Sequence, residues 1–192
     1  MLARPAEIVV HPLTRKRWAD FERLFGERGA CGGCWCMVWR LSRADFVRQK
    51  GMGNKQAMQR LIQDGATPGL LAYVGAEAVG WCAIAPRSDY PGLARSRILK
   101  PLNEQPVWSV SCLFVAKPHR RKGISVALLK AAVTHVRSRG GRIVEGYPQE
   151  PGAGRMPDVF AWTGLASAFG KAGFLEAARR SPTRPIMRRT IA

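Results

Sequence analysis

Residues 107–139 read VWSVSCLFVAKPHRRKGISVALLKAAVTHVRSR, and this stretch decides the fold. Val107 to Val115 is apolar and rich in β-branched and aromatic side chains, which suits a central strand. Ser125 to Arg139 follows with Val126, Leu128, Leu129, Ala132, Val133 and Val136 forming an apolar helix surface, and Gly140-Gly141 ends it. Between them runs a basic connection that contains a glycine. A strand, such a loop and a helix start make a phosphate site from elementary parts. The first amides of a helix have no intrahelical acceptor, and the helix dipole adds partial positive charge. Gly123 lets an anion approach the backbone. Ser125 can cap the helix or donate its hydroxyl, while Arg120, Arg121 and Lys122 supply charge for a diphosphate or a ribose phosphate. Neither G-x-x-x-x-G-K-[ST] nor a G-x-G-x-x-G after a strand occurs, so the Walker and Rossmann versions of such a site are excluded.

Outward from this stretch the pattern alternates between strand and helix. Upstream, Glu7 to Val10 reads as a short strand, and Thr14 can cap a helix that puts Trp18, Phe21, Leu24 and Phe25 on one face. Ser42-Arg-Ala-Asp45 resembles a capping box. A helix from Asn54 buries Ala57, Met58, Leu61 and Ile62, with Gly65 past its end. Leu70 to Val74 and Val79 to Ala85 flank a Gly75-Ala-Glu77 turn as a hairpin. Residues 86–106, with four prolines and little periodicity, form a long loop, which in a compact domain is often functional. Downstream, Arg142 to Tyr147 is a strand, a Pro/Gly-rich stretch precedes a helix near Gly164 to Ala172, and two strands end the chain. No internal repeat or domain boundary interrupts the 192 residues.

Composition narrows the class. The formal net charge is +18, so an anionic partner is expected. The basic residues are scattered rather than blocked, which favours a small anionic cofactor over nucleic acid. Nucleic-acid binding remains a rival reading. Five cysteines and no export signal argue against a disulfide framework. No apolar run approaches the roughly 20 residues of a membrane helix, and a cytoplasmic location is expected. Cys31-Gly-Gly-Cys34-Trp-Cys36 lacks the paired spacing of a zinc site, and His11, His119 and His135 are isolated, so no metal is expected.

Val115-Ala-Lys-Pro-His-Arg120-Arg-Lys-Gly123-Ile-Ser125 resembles the acetyl-CoA loop of the GCN5-related N-acetyltransferase (GNAT) superfamily, R/Q-x-x-G-x-G/A. Arg120 and Gly123 match it, and Ser125 replaces the last small residue. Phe169-Gly-Lys-Ala-Gly173-Phe174 is similar to the family's later Y-E-K-x-G-F signature. The resemblance covers Leu70 to Ile191. It implies one α/β domain with a mixed, splayed β-sheet flanked by helices. The acetyl-CoA core would span about 70–192, with an acceptor-side helical region at about 12–65. Acetyl-CoA would be the co-substrate, held by Leu113, Phe114, Val115, Arg120, Arg121, Lys122, Gly123, Ile124, Ser125 and Phe169. A backbone N–H near Leu113 or Phe114 would stabilise the oxyanion. A small-molecule or peptide amine would attack the thioester directly, and terminal strands in such proteins often pair between subunits.

The sequence departs from the family where proton transfer is concerned. Phe169 stands where many members carry the Tyr that protonates the thiolate, and Trp162 stands where an Asn is common. Tyr147, Tyr90 and Cys112 are substitutes for the acid, and Glu145 is the candidate base. Trp35, Trp39, Arg87 and Tyr90 are the candidate acceptor-binding residues. A non-catalytic acyl-CoA-binding module is a further rival, kept alive by Phe169.

Overall fold

The computed structural model describes residues 7–151 and 158–192, the side chains of 158–160 excepted. Its strands are β1 (Ile8–Pro12), β2 (Gly69–Val74), β3 (Glu77–Pro86), β4 (Trp108–Val115), β5 (Ile143–Gly146), β6 (Leu175–Arg179) and β7 (Pro185–Thr190). The helices are α1 (Trp18–Phe25), α2 (Arg43–Arg48), α3 (Met52–Gln63), α4 (Pro91–Ala94), α5 (Ile124–Ser138) and α6 (Ala166–Lys171). The strands form one seven-stranded sheet in the order β1-β2-β3-β4-β5-β7-β6. Every neighbouring pair is antiparallel except β4 and β5, which run parallel with α5 between them in the chain. That connection needs a crossover, and α5 supplies it.

Alternation along the strands sorts side chains onto two faces. On the first face Leu70, Ala72, Cys82, Ile84 and Val110 pack against Leu128, Leu129, Ala132, Val133 and Val136 of α5. On the second, Leu71, Tyr73, Trp81 and Ala83 meet Phe21 and Phe25 of α1 and Met58 and Ile62 of α3. β4 changes phase midway. Val110 faces the first side and Cys112 the second, because the register with β3 shifts between Ala83 and Ile84 and leaves Ser111 as an extra residue. Such a bulge re-aims the side chains beyond it.

The parallel pairing of β4 with β5 covers only Trp108–Val144, Ser109–Glu145 and Val110–Gly146. Beyond Gly146 the strands part, and Phe169 of α6 sits at the fork. A Cβ on Gly146 would lie 2.1 Å from Phe169 Cε1, and one on Gly164 would lie 2.9 Å from Cε2. The ring therefore fills the angle of the splay and is fully buried against Phe174.

A buried charge cluster fixes the same region from the second face. Glu145, 1 % exposed, receives Arg87 Nη1 at 3.1 Å on one oxygen and Arg188 Nε at 2.6 Å on the other. Tyr147 donates its hydroxyl to Glu145 Oε1 at 2.7 Å and meets Ser109 Oγ at 2.8 Å. Arg87 also contacts the Tyr147 hydroxyl and donates to the Leu99 carbonyl at 2.6 Å. The first part of residues 86–106 is thus no solvated loop, while 100, 101 and 103–106 stay exposed and irregular. That first part holds a 3-10 turn (Arg87–Asp89) and α4, started by Pro91 at a position where a missing N–H costs nothing. Tyr90, Leu93 and Leu99 are buried beneath them.

Upstream, Ser42 caps α2 by accepting from the Asp45 N–H at 3.0 Å, as the capping-box pattern expects. α3 begins at Met52 rather than Asn54, whose buried Nδ2 instead donates to the Gly33 carbonyl at 3.1 Å.

Gly146→Ala should destabilise the fold by about 1–3 kcal/mol through overpacking against Phe169. A Phe169→Leu second change should recover part of that loss in urea denaturation. Glu145→Ala should cost about 3–5 kcal/mol, because it leaves two guanidiniums buried without their carboxylate.

Candidate active site

The basic loop builds its geometry from three local devices. Lys117–His119 is a 3-10 turn that begins after the last β4 residues. Arg120 then runs extended and returns its Nε to the Val115 carbonyl at 3.1 Å, closing the loop onto its own strand. Arg121 at φ 64° and Gly123 at φ 82° turn the chain into α5 through left-handed backbone. No atom lies within 4 Å of where a Cβ on Gly123 would sit, so the approach to the backbone is open.

α5 starts without a side-chain cap, and Ser125 does not serve as one. The amides of its first turn are therefore presented outward, next to Arg121 and Lys122. Uncapped amides, an open glycine and cationic side chains fit a diphosphate. Ile124 contributes only its backbone, since its side chain is buried in the first-face core.

The free edge of β4 lies beside this loop. The Ala116 N–H bonds the Val79 carbonyl at 2.9 Å, which sets the alternation along the strand. Phe114 and Cys112 direct their backbone groups to β3, while Leu113 and Val115 direct theirs away from it. Past Val110, no strand among the described residues pairs with β4 on that outer side. Arg120 occupies the Val115 carbonyl there, and the polar groups of Leu113 face the gap. Phe114 thus supplies a second-face side chain rather than an amide for the gap.

Several residues expected at the site are placed elsewhere. Glu145 cannot act as an open base, because both its oxygens are engaged by guanidiniums. Tyr147 commits its proton to Glu145, and burial together with that carboxylate pushes its phenol well up. Arg87 is the third member of this cluster and is not displayed to an acceptor. Trp35 is 3 % exposed, stacked on Trp18 and Phe25 with Lys55 over its ring, so it is core. Phe169 is core as well and has no hydroxyl for the gap. Tyr90 is 1 % exposed and reached only through its neighbours.

Trp39 is only half-buried, unlike Trp35. It packs onto Gly92 and stacks on Trp162 at 5.8 Å, and Trp162 belongs to a 3-10 segment (Asp158–Thr163) that leans on β4. Arg40, the residue after it, was not singled out by pattern, since one arginine among many carries no periodic signal. Its guanidinium sits 4.6 Å over the Tyr90 ring. Arg188 carries no signal for the same reason, and Ser109 and Ser111 carry none because their role depends on distant partners.

Among the described residues no group of three His, Cys, Asp or Glu side chains is placed to hold a metal ion. Cys36 is buried, with its Sγ receiving the Trp81 Nε1–H at 3.3 Å. Hydrogen bonding from Cys112, aided by Trp81 and Arg40, draws the Cys36 thiol below its ordinary value. Among the described residues no helix is long and apolar enough to cross a membrane.

Comparison with known proteins agrees with this architecture. The sequence profile of the acetyltransferase (GNAT) family matches residues 35–153, well over half of the chain. A search of curated proteins returned no significant match. Among solved structures, a GNAT-family protein from Desulfovibrio desulfuricans superimposes with a TM-score of 0.55 at 16% identity, covering 97% of this chain and 100% of that one. The PaiA N-acetyltransferase from Thermoplasma acidophilum, solved with coenzyme A, gives 0.54 at 13% identity over 96% and 99% of the two chains. YncA from Salmonella typhimurium, solved with acetyl-CoA, gives 0.54 at 11% over 96% and 94%. At these identities the superpositions establish the fold, and the profile match establishes the lineage. The chain belongs to the GNAT family of acetyltransferases.

Proposed function

We propose that this protein transfers the acetyl group of acetyl-CoA directly to a primary amine, with no acetylated protein side chain between. The observation that carries the reading is the adjacency of two features: the uncapped α5 start after Gly123 and the unpaired β4 edge at Leu113. The first suits a diphosphate and the second an amide-bearing arm that adds to the sheet like a strand. PaiA and YncA were solved with coenzyme A and acetyl-CoA, which supports the same ligand here.

When bound, acetyl-CoA supplies an activated thioester whose leaving thiolate is only weakly basic. The protein's part is placement. Arg121, Lys122 and the first-turn amides of α5 hold the diphosphate, while Arg120 keeps the loop closed on Val115. The Leu113 N–H, turned into the gap, is the donor for developing charge on the carbonyl oxygen. The amine enters from the second face, beneath Trp39 and Trp162. Glu145, Tyr147 and Arg87 act at one remove by holding residues 87–106 in place. Phe169 removes the usual tyrosine acid, and a good leaving group lessens the need for one.

Excess acetyl-CoA, at about 100 times its dissociation constant, should stabilise the fold by roughly 2.7 kcal/mol, visible in a thermal melt against an ATP control. Gly123→Glu should abolish that shift by placing bulk and negative charge at the diphosphate. Gly123→Ala, which carries the left-handed backbone cost of about 1–2 kcal/mol without the charge, should keep most of it. Normal binding by the glutamate variant would sink the assignment of this loop. Binding without acetyl transfer to any amine would instead make the protein an acyl-CoA-binding module.

A further inference from the structure

Arg40 is an unusual guanidinium for a protein with such an excess of positive charge. Its side chain is 8 % exposed, so it has given up most of its hydration. Among the described residues it makes two hydrogen bonds, both long: Nη1 to Asp89 Oδ2 and Nη2 to the Tyr90 hydroxyl, each at 3.4 Å. Asp89 is 43 % exposed and stands at the solvent side of the group. By contrast, the buried guanidiniums of Arg87 and Arg188 share Glu145 with contacts of 3.1 and 2.6 Å. A guanidinium has five N–H donors. Two stretched contacts leave Arg40 under-satisfied, and burying a charge in that state is costly unless something else completes it.

Its surroundings share the same defect. Ser111, the bulge residue at the start of the unpaired β4 edge, is 1 % exposed and its Oγ makes no hydrogen bond of good geometry. It lies beside the Tyr90 hydroxyl, whose ring Arg40 covers. Trp39 Nε1 is also buried without an acceptor among the described residues, and Trp39 packs in the same cluster as Tyr90. Tyr90 is thus the common neighbour of one under-satisfied guanidinium and of two groups with no hydrogen-bond partner among the described residues. A guanidinium and an indole N–H can only donate, and a serine hydroxyl can do so. What completes such a set is an acceptor-only group. One cation among Tyr90, Trp39 and Trp162 matches a single negative charge; a doubly charged phosphate would need more cations in so apolar a setting.

We propose that Arg40, with Ser111 and Trp39 beside it, receives a carboxylate carried by the amine acceptor, so that the substrate class is amino acids or other carboxylate-bearing amines. This rests on the reading of the chain as an amine acetyltransferase. The acceptor carboxylate takes over the stretched Asp89 contact and forms the paired N–H bonds that guanidinium geometry favours. Its amine then lies toward the β4 bulge and the gap at Leu113. The stacked rings of Trp39 and Trp162 would then stand beside the acceptor and favour apolar amino acids over charged ones.

The test uses matched acceptors in a thiol-release assay with acetyl-CoA: a panel of amino acids, each beside its carboxamide. At least one amino acid should exceed its carboxamide in kcat/KM by on the order of 100-fold, since a site with buried donors rejects the analogue that leaves them unpaired. Arg40→Met should reduce that preference to below about 10-fold while leaving the KM for acetyl-CoA unchanged. Arg40→Lys, which keeps the charge without the planar fork, should fall between and serves if the methionine variant does not fold. Carboxamides used as well as acids, or a preference that survives in Arg40→Met, would overturn the proposal and leave amine acetylation standing. A second arm does not depend on turnover: thermal melts with N-acetyl amino acids against their carboxamides. Stabilisation by the acids alone, lost in Arg40→Met, upholds the carboxylate site even if no amine is acetylated, and the transfer reading then fails. Neither stabilisation nor turnover overturns the site as well.

Discussion

The contact between Phe169 and Gly146 sets the geometry on which everything else depends. Two parallel strands would continue to pair while their backbones stayed in register, and β4 and β5 stop after Val110 and Gly146. The phenyl ring stands where any Cβ at Gly146 would have to go. It props the strands apart from the first face, where α5 and α6 provide a rigid backing. Because the wedge is apolar and fully buried, the gap it creates is structural and does not need a ligand to open it. The unpaired groups of β4, which elsewhere in a sheet would be a liability, are the edge proposed above to take the arm of the acyl donor.

At the fork itself, the opposite face is held by a charge cluster beside its apolar packing. Glu145 joins β5, β7 through Arg188 and the 86–106 segment through Arg87. Removing one partner of such a cluster is costly, while the intact cluster adds little net stability over an apolar substitute. Its value is positional. It pins the segment that carries Tyr90 over the second face, and Tyr90 in turn supports Arg40. The chain thus uses three arginines of the same type in different states: two spent on a carboxylate inside the fold, and one kept short of partners near the gap.

Much of this was legible in the amino-acid sequence because local rules and tertiary structure agree. The β4 strand, the basic turn and α5 follow from periodicity and from Gly123, and Ser42 caps its helix as expected. What could not be read were features that depend on distant partners. Glu145 looked like a base because it sits on a strand near the expected splay; only the fold brings Arg87 and Arg188 to it from 58 and 43 residues away. Trp35 and Tyr90 looked available because aromatic residues in irregular segments carry no signal of burial. Arg40 was hidden by abundance, since burial and unmet donors, not its identity, set it apart.

The basic turn before α5 has a kinetic side as well. Lys117, Arg121 and Lys122 project from a protein whose formal charge is +18, so the field extends well past the contacts themselves. At low ionic strength a polyanion is drawn in before it touches the loop, and its arrival rate rises accordingly. Within a Debye length of about 8 Å at physiological salt most of that reach is lost. Capture speed would therefore be a property of the whole surface and of the medium, whereas the lifetime of a bound anion would be set by the few amides it meets at the helix start.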